Sequence, residues 1–194
     1  MDKKVRVLLI DDNHEFTSNF EEIISFDERL EYLGAATDKE SGVDMSLTLN
    51  PDIVVMDLNL SGAALDGIDA AKEIRVRTGI QILLLTAYED EDIILSASKK
   101  AFASGYIFKS QFMSIADIIY QTAVSKTVEK TLIKDLLFRD LTNAETAVLK
   151  GLIDGDVNKF THASASTIEK QLSSIFRKLG VRCSKDLLTV FKSW

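Results

Sequence analysis

Short apolar runs alternate with amphipathic stretches along the first 125 residues of the chain. The apolar runs are nearly uninterrupted, which is typical of strands that are buried on both faces of a parallel sheet. A stretch with helical spacing follows each run, as in repeated strand–helix units. The predicted strands cover residues 5–10, 31–36, 53–56, 81–85 and 106–108. The pattern therefore predicts an α/β fold with a five-stranded, doubly wound parallel sheet.

The rest of the chain keeps helical spacing and lacks the strand pattern. Residues 123–140 contain no glycine or proline and predict a helical linker, in one interpretation continuous with the helix before it. Further helices are predicted over residues 145–153 and 167–179 and around residues 187–191. Ser166 and Glu169 stand at the spacing of a capping box for the helix at 167–179. We therefore expect an α/β domain over 1–122, a linker over 123–140 and a small all-α domain over 141–194.

Charged residues are distributed unevenly between the two ends of the chain. The chain of 194 residues has a formal net charge of −7, yet residues 141–194 carry more basic than acidic side chains. Two modules with different partners are indicated, and a polyanion is a candidate partner for the basic tail. One cysteine and two histidines exclude a disulfide framework and a multi-cysteine zinc site. Without a signal-peptide pattern or a membrane-length apolar stretch, we expect a cytoplasmic protein with no membrane partner.

Polar side chains gather at the predicted ends of the strands. Asp11 and Asp12 follow the first strand, and Asp57 follows the third, its expected neighbour in a doubly wound sheet. Unit charges ~4 Å apart repel by about 4 kcal/mol at an effective dielectric constant of ~20. A divalent cation or the ammonium of Lys109, which follows the fifth strand, would offset this repulsion. Thr86 ends the fourth strand, where its hydroxyl can reach the same crevice.

This crevice has a definite chemistry. An aspartate held beside Mg²⁺ and a fixed ammonium can attack a phosphoryl donor, because both cations stabilise charge on the transferred oxygens. The residues resemble the receiver domain of bacterial two-component response regulators, a flavodoxin-like fold, over residues 1 to about 122. The positions that carry the resemblance are Asp11, Asp12, Asp57, Thr86, Tyr106 and Lys109.

The resemblance implies a role for each of these residues. Asp57 would accept phosphate from a sensor histidine kinase, and Lys109 would contact the phosphoryl group. Thr86 and Tyr106 would form the switch. The implied Mg²⁺ ligands are Asp11, Asp12, Asp57 and the backbone carbonyl of Asn59. One departure is Phe102, which stands where the family commonly has glycine and is expected to alter the end of the helix before the last strand.

The tail resembles the helix-turn-helix domain of LuxR/NarL-type transcription factors over residues 138–194. The matching blocks are residues 141–149, 155–159, 166–170 and 175–181. The resemblance implies that helix 167–179 enters the major groove of DNA. The candidate DNA-binding residues are Asn158, Lys159, Thr167, Glu169, Lys170, Ser173, Arg177 and Lys178. The middle of the domain is shorter than in the family by about one helical turn of ~3.6 residues. DNA binding is therefore hypothesised to be weakened, altered or dependent on dimerisation.

Three functions fit these features. The first is a transcription regulator, not an enzyme, that is controlled by phosphorylation and forms a homodimer when phosphorylated. The second is a phosphorylation switch that binds a protein partner and has lost DNA recognition. The third is a phosphatase of the haloacid-dehalogenase type, which ranks last because such enzymes need a carboxylic acid two residues after the nucleophile. That position is Asn59, whose amide does not exchange a proton in this way.

Overall fold

A computed structural model describes residues 3–60, 66–87, 90–156, 164–192 and 194. Five parallel strands form one sheet in the order β2-β1-β3-β4-β5, which confirms the doubly wound prediction. Each strand begins and ends within one residue of its predicted position. The strands are β1 (Val5–Ile10), β2 (Leu30–Ala36), β3 (Ile53–Asp57), β4 (Gln81–Thr86) and β5 (Gly105–Phe108).

Helices cover both faces of the sheet. Because successive side chains of a strand point to opposite faces, Val7 and Leu9 pack into one apolar core while Leu8 and Ile10 pack into another. A short 3₁₀ segment, Lys109–Ser114, follows β5. The helices of this α/β part are α1 (His14–Phe26), α2 (Lys39–Leu49), α3 (Asp66–Thr78), α4 (Glu91–Ala101) and α5 (Ile115–Val124). Polar residues at the carboxyl ends of the strands therefore share one edge of the sheet.

Four helices, called the C-terminal helices below, follow the α/β part. They are α6 (Val128–Arg139), α7 (Asn143–Asp154), α8 (Ala165–Leu179) and α9 (Ser184–Lys192). Their apolar side chains form a second cluster, which also includes Phe102 at the end of α4. Throughout the described ranges, no helix has both the length and the apolar character required to cross a membrane.

Two predictions of helix boundaries are wrong. Helices α5 and α6 are not continuous, because the backbone is extended at Ser125 and the Thr127 side chain accepts the Lys130 N–H to start a new helix. Helix α8 begins before the expected capping box of Ser166. Its N-cap is Ser164, whose hydroxyl accepts the Thr167 N–H at 3.2 Å. Both serines suit an N-cap, and the sequence pattern alone does not choose between them.

Candidate functional site

Three carboxylates meet at the carboxyl edge of the sheet. Asp11 directly follows β1 and is fully buried, Asp12 is exposed, and Asp57 is the buried last residue of β3. One carboxylate oxygen from each of the three lies within 4.8 Å of the others. The structure thus brings together the three side chains that the strand-end argument predicted to converge.

The ammonium of Lys109 lies between two of these carboxylates. Its Nζ is 2.8 Å from Asp11 Oδ2 and 3.3 Å from Asp57 Oδ2. Burial disfavours the charged ammonium, but the hydrogen bond to Asp11 and the charges of both carboxylates outweigh burial and raise the pKa of Lys109. Burial raises the pKa of Asp57 to about 6. The positive charge of Lys109 partly offsets this increase, and the negative charge of Asp11 adds to it. Burial therefore makes Asp57 a weaker acid than an ordinary aspartate, and ionisation of its carboxyl costs free energy in the folded state.

Asn13 fixes the orientation of Asp11, a role that the sequence analysis missed. The Asn13 N–H donates to Asp11 Oδ1 at 2.9 Å, while Lys109 occupies Oδ2. The Asn13 side chain in turn accepts the Phe16 N–H at 3.0 Å and starts α1. A helix-capping residue two positions after a strand-end aspartate is the sequence signal that indicates this arrangement.

Gly67 is a second position whose structural role the sequence did not predict. Its N–H donates to the Leu58 carbonyl at 3.1 Å, which places the first turn of α3 against the end of β3. A Cβ at this position would lie 1.9 Å from the Asp57 carbonyl oxygen, so only glycine allows this approach. Helix α3 therefore starts in contact with the backbone of Asp57.

The two predicted switch residues lie on neighbouring strands. Thr86 ends β4 and is buried, whereas Tyr106 lies on β5 and is half-buried. Tyr106 pairs with Leu84, two residues before Thr86, so the Thr86 and Tyr106 side chains point to the same face of the sheet. The Tyr106 ring packs edge-on against Phe108, with centroids 5.9 Å apart. Tyr106 is therefore partly exposed to solvent, whereas Thr86 on the neighbouring strand is not.

The residues from β1 to α5 match the family model described as "Response regulator receiver domain" over residues 7–120. The chain belongs to this family of response regulators. A nitrate/nitrite response regulator homolog of Haemophilus influenzae is 28% identical over 196 residues, with 93% of each chain covered. The transcriptional regulatory protein LiaR of Bacillus subtilis is 28% identical over 195 residues, 91% of this response regulator and 92% of LiaR.

Solved structures agree with this assignment. A LuxR-family response regulator from Aurantimonas sp. SI85-9A1 has a TM-score of 0.55 and 28% identity, and the match covers 68% of this response regulator and 94% of that chain. RcsB of Salmonella typhimurium has a TM-score of 0.57 and 21% identity over 98% of both chains. The match to RcsB extends the similarity in fold to the C-terminal helices.

The donor set of the response regulator fits Mg²⁺. Mg²⁺ prefers hard oxygen ligands and is commonly held by one or two carboxylates. Three carboxylate oxygens lie close enough together to be shared by one ion. The Asn59 backbone N–H donates to the Asp57 carboxylate, which places the Asn59 backbone beside the cluster. No other group of three or more acidic, histidine or cysteine side chains suited to a metal occurs among the described residues.

The candidate DNA-binding residues of the response regulator divide into three sets. Glu169, Lys170, Ser173 and Arg177 line one exposed surface of α8. The other two on this helix have partners within the chain: the Thr167 hydroxyl lies 2.9 Å from that of Ser164, and the Lys178 Nζ lies 2.6 Å from Glu145 Oε2. The remaining two, Asn158 and Lys159, lie outside the residues that the structure describes.

The Glu145–Lys178 pair predicts a pH-dependent stability of the C-terminal helices. The Lys178 hydrogen bond, supported by those from Ser174 and Thr142, lowers the pKa of Glu145 from 4.5 to about 2. The stabilisation is therefore complete above about pH 4.5 and is lost as the pH falls towards about 2. We expect Glu145→Gln to lower the melting temperature at neutral pH, and the difference from wild type to shrink on acidification. Glu169→Gln on the exposed surface of α8 is the control, and a difference that stays constant with pH would refute the assignment.

Proposed function

We propose that this response regulator accepts a phosphoryl group on Asp57 from a sensor histidine kinase, and that phosphorylation controls DNA binding by the C-terminal helices and thereby transcription. The observation that carries the proposal is the contact of one ammonium, that of Lys109, with the carboxylates of both Asp11 and Asp57. The names of the relatives support it, since they describe a nitrate/nitrite response regulator and a transcriptional regulatory protein. A cytoplasmic location suits such a regulator.

Each residue of the acidic cluster has a separate role in phosphoryl transfer. The Asp57 carboxylate attacks the phosphorus of a phosphohistidine, the new O–P bond forms as the P–N bond breaks, and the imidazole takes up a proton as it leaves. Lys109 holds the transferred oxygens in place while Asp11 holds Lys109. The residues that would hold Mg²⁺ are Asp11, Asp12, Asp57 and the backbone carbonyl of Asn59. When bound, Mg²⁺ offsets the clustered negative charge and that of the phosphoryl oxygens.

Phosphorylation of Asp57 would then act on Thr86 and Tyr106. A phosphoryl group adds about 1.5 to 2 negative charges and strong acceptor oxygens, which can draw in the Thr86 hydroxyl. The vacated space would let the half-buried Tyr106 ring turn inward. To change the ratio of active to inactive conformation from ~1:99 to ~99:1, phosphorylation must favour the active conformation by about 5.5 kcal/mol. Several charge-assisted hydrogen bonds can provide this free energy.

The exposed surface of α8 is the proposed contact with DNA. Lys170 and Arg177 supply the positive charge on that surface, and Glu169 and Ser173 offer hydrogen-bonding groups for base edges. We propose that the phosphorylated protein binds as a homodimer, because two copies of a short helix surface give the affinity that one lacks. The role is that of a switch and not of a phosphatase, since Asn59 stands where a phosphatase of this chemistry needs an acid.

Selection from a random pool of DNA duplexes tests this function. The full-length protein is incubated with beryllofluoride and Mg²⁺, and enriched duplexes are sequenced beside a sample that lacks beryllofluoride. We expect enrichment of related sequences and stronger enrichment in the activated sample. Absence of enrichment in both samples would refute DNA binding and would favour a switch that acts on a protein partner.

The Lys170→Ala variant is predicted to weaken binding to all duplexes by a similar factor. If Lys170 contacts a phosphate, its loss should reduce the slope of log affinity against log salt by about 0.9. Binding measured by fluorescence anisotropy at several salt concentrations checks both effects. Lys4→Ala, which removes an exposed lysine of the α/β part, should leave the slope unchanged. An unaltered slope for Lys170→Ala would exclude the contact.

A further inference from the structure

A positively charged cleft lies where the end of α4 meets the end of α8. It has a volume of about 300 Å³. Five basic side chains and one acidic side chain line it: Lys72, Lys99, Lys100, Arg177, Lys178 and Asp140. The whole chain has a formal net charge of −7, so this local excess of positive charge opposes the overall charge. The cleft is therefore suited to a negatively charged partner.

The two helix ends account for the presence of the basic residues. The C-terminal end of a helix carries partial negative charge, which favours lysine and arginine in the last turn. Helix α4 has Lys99 and Lys100 there, and α8 has Arg177 and Lys178. Two helix ends with about half a negative charge each offset only part of this positive charge. The cleft therefore keeps a net positive charge.

Three of the five cations are bound within the chain. The pairs are Lys99 with Asp140, Lys178 with Glu145 and Lys72 with the Leu179 carbonyl, the last two at 2.6 and 3.2 Å. Across the described residues, Lys100 and Arg177 have neither a hydrogen bond nor an ion pair. Both of these residues are exposed. Their charges are therefore available to an external anion.

Arg177 connects the cleft to the exposed surface of α8. It lines the cleft together with Lys100, and it lines the α8 surface together with Glu169, Lys170 and Ser173. Lys170 and Arg177 are seven residues apart, which is about two helical turns, so they lie on the same side of α8. Lys170, Arg177 and Lys100, called the basic surface below, therefore extend from α8 onto the α/β part.

Contacts between the two parts hold the end of α4 beside the end of α8. The Phe102 side chain, at the end of α4, is 1% exposed and packs among the apolar side chains of the C-terminal helices. The Lys72 ammonium of α3 donates to the last carbonyl of α8. Lys170 and Arg177 are exposed in this arrangement. The contact thus leaves the proposed DNA-binding side of α8 open and places Lys100 beside it.

We propose that Lys100 of the α/β part contacts a phosphate of the same DNA duplex that Lys170 and Arg177 of α8 contact. The proposal rests on the proposed function, because that function supplies duplex DNA as the partner. A duplex carries one negative charge per ~1.7 Å of its axis, so it presents phosphates to cations that are spread over two helices. A small anion would fill the cleft but leave Lys170, about 10 Å along α8 from Arg177, without a partner. The α/β part therefore adds to DNA binding while it contacts α8.

The salt dependence of DNA binding by the full-length protein tests this contact. Fluorescence anisotropy is measured at several salt concentrations with a labelled duplex enriched in the selection described above. We expect Lys100→Met to reduce the slope of log affinity against log salt by about 0.9, and the double variant with Arg177→Met to reduce it by about 1.8. Lys100→Arg keeps the charge and should keep the wild-type slope. Lys126→Met, at an exposed lysine that does not line the cleft, is the matched control and should also keep it.

The possible results separate this contact from the proposed function. A wild-type slope in Lys100→Met, when Lys170→Ala reduces the slope, would overturn the contact with the α/β part and leave the proposed function standing. An equal reduction in Lys126→Met would show that only the net charge of the chain matters, and would overturn the contact as well. Failure of the wild type to bind any duplex would refute the proposed function and this proposal with it. Circular dichroism checks that each variant is folded.

Discussion

Replacing Asp57 by asparagine is expected to abolish phosphorylation of the response regulator by acetyl phosphate, and with it the increase in DNA affinity. An amide of the same shape keeps the packing at the end of β3 but removes the nucleophile. Loss of a nucleophile slows comparable reactions by far more than about 10³-fold, so we expect no measurable transfer. Intact-protein mass spectrometry after incubation with acetyl phosphate and Mg²⁺ measures the result. Asp44→Asn, on the exposed side of α2, is the control.

The same variant should gain stability at neutral pH when no Mg²⁺ is present. Burial raises the pKa of Asp57 from 3.8 to about 6, so the ionised carboxylate destabilises the fold. Wild-type stability is therefore expected to fall as the pH rises from about 4 through about 6. Asp57→Asn should melt at a higher temperature than wild type at neutral pH and at a similar temperature near pH 4. A lower melting temperature at neutral pH would contradict the electrostatic account.

Replacing Lys109 by methionine should affect both phosphoryl transfer and stability. Removing one preorganised donor from a transition state slows transfer by about 10²- to 10³-fold. Without the ammonium, the buried carboxylates of Asp11 and Asp57 lose their shared partner. We expect the free energy of unfolding to fall by up to about 3 kcal/mol without Mg²⁺, and by less with it. Urea denaturation with and without Mg²⁺ measures the difference.

Lys100→Met is the matched control for this prediction, because Lys100 is exposed on α4. Its rate of phosphorylation and its response to Mg²⁺ should equal those of wild type. If Lys109→Met is phosphorylated at the wild-type rate, the ammonium has no part in the transfer. If Mg²⁺ stabilises it no more than wild type, Lys109 and the ion do not neutralise the same charges.

The α/β part could be predicted from the sequence because two strong signals agree there. Uninterrupted apolar runs mark strands buried on both faces, and each strand end is followed by polar residues. The strand-end rule then places Asp11 and Asp57 together without knowledge of any contact. Neither Asn13 nor Gly67 could be assigned a role in this way. Asn13 carries a helix-capping signal that the strand-end rule does not use, whereas the role of Gly67 depends on a close approach that the pattern does not encode.

For the helices, the local sequence signals allowed more than one boundary or gave none. Ser164 and Ser166 are both of a residue type that suits an N-cap, and Ser164 is the N-cap in the structure. No glycine or proline marks the break between α5 and α6. The structure shows that Thr127 caps the start of α6 and that the Lys130 ammonium donates to the Ser125 carbonyl at 2.9 Å. From the local sequence, Phe102 was predicted only to alter the end of a helix, whereas its ring packs among the apolar side chains of the C-terminal helices. Contacts between distant parts of a chain are invisible to a local pattern.

Locating the phosphoryl group in the full-length protein shows directly whether Asp57 is the phosphoacceptor. The protein is treated with acetyl phosphate in the presence of Mg²⁺ or of a chelator, and the peptides are mapped by mass spectrometry. We expect one phosphoryl group per chain, on the peptide that contains Asp57, and only when Mg²⁺ is present. A phosphoryl group on another residue, or equal labelling in the presence of the chelator, would contradict it.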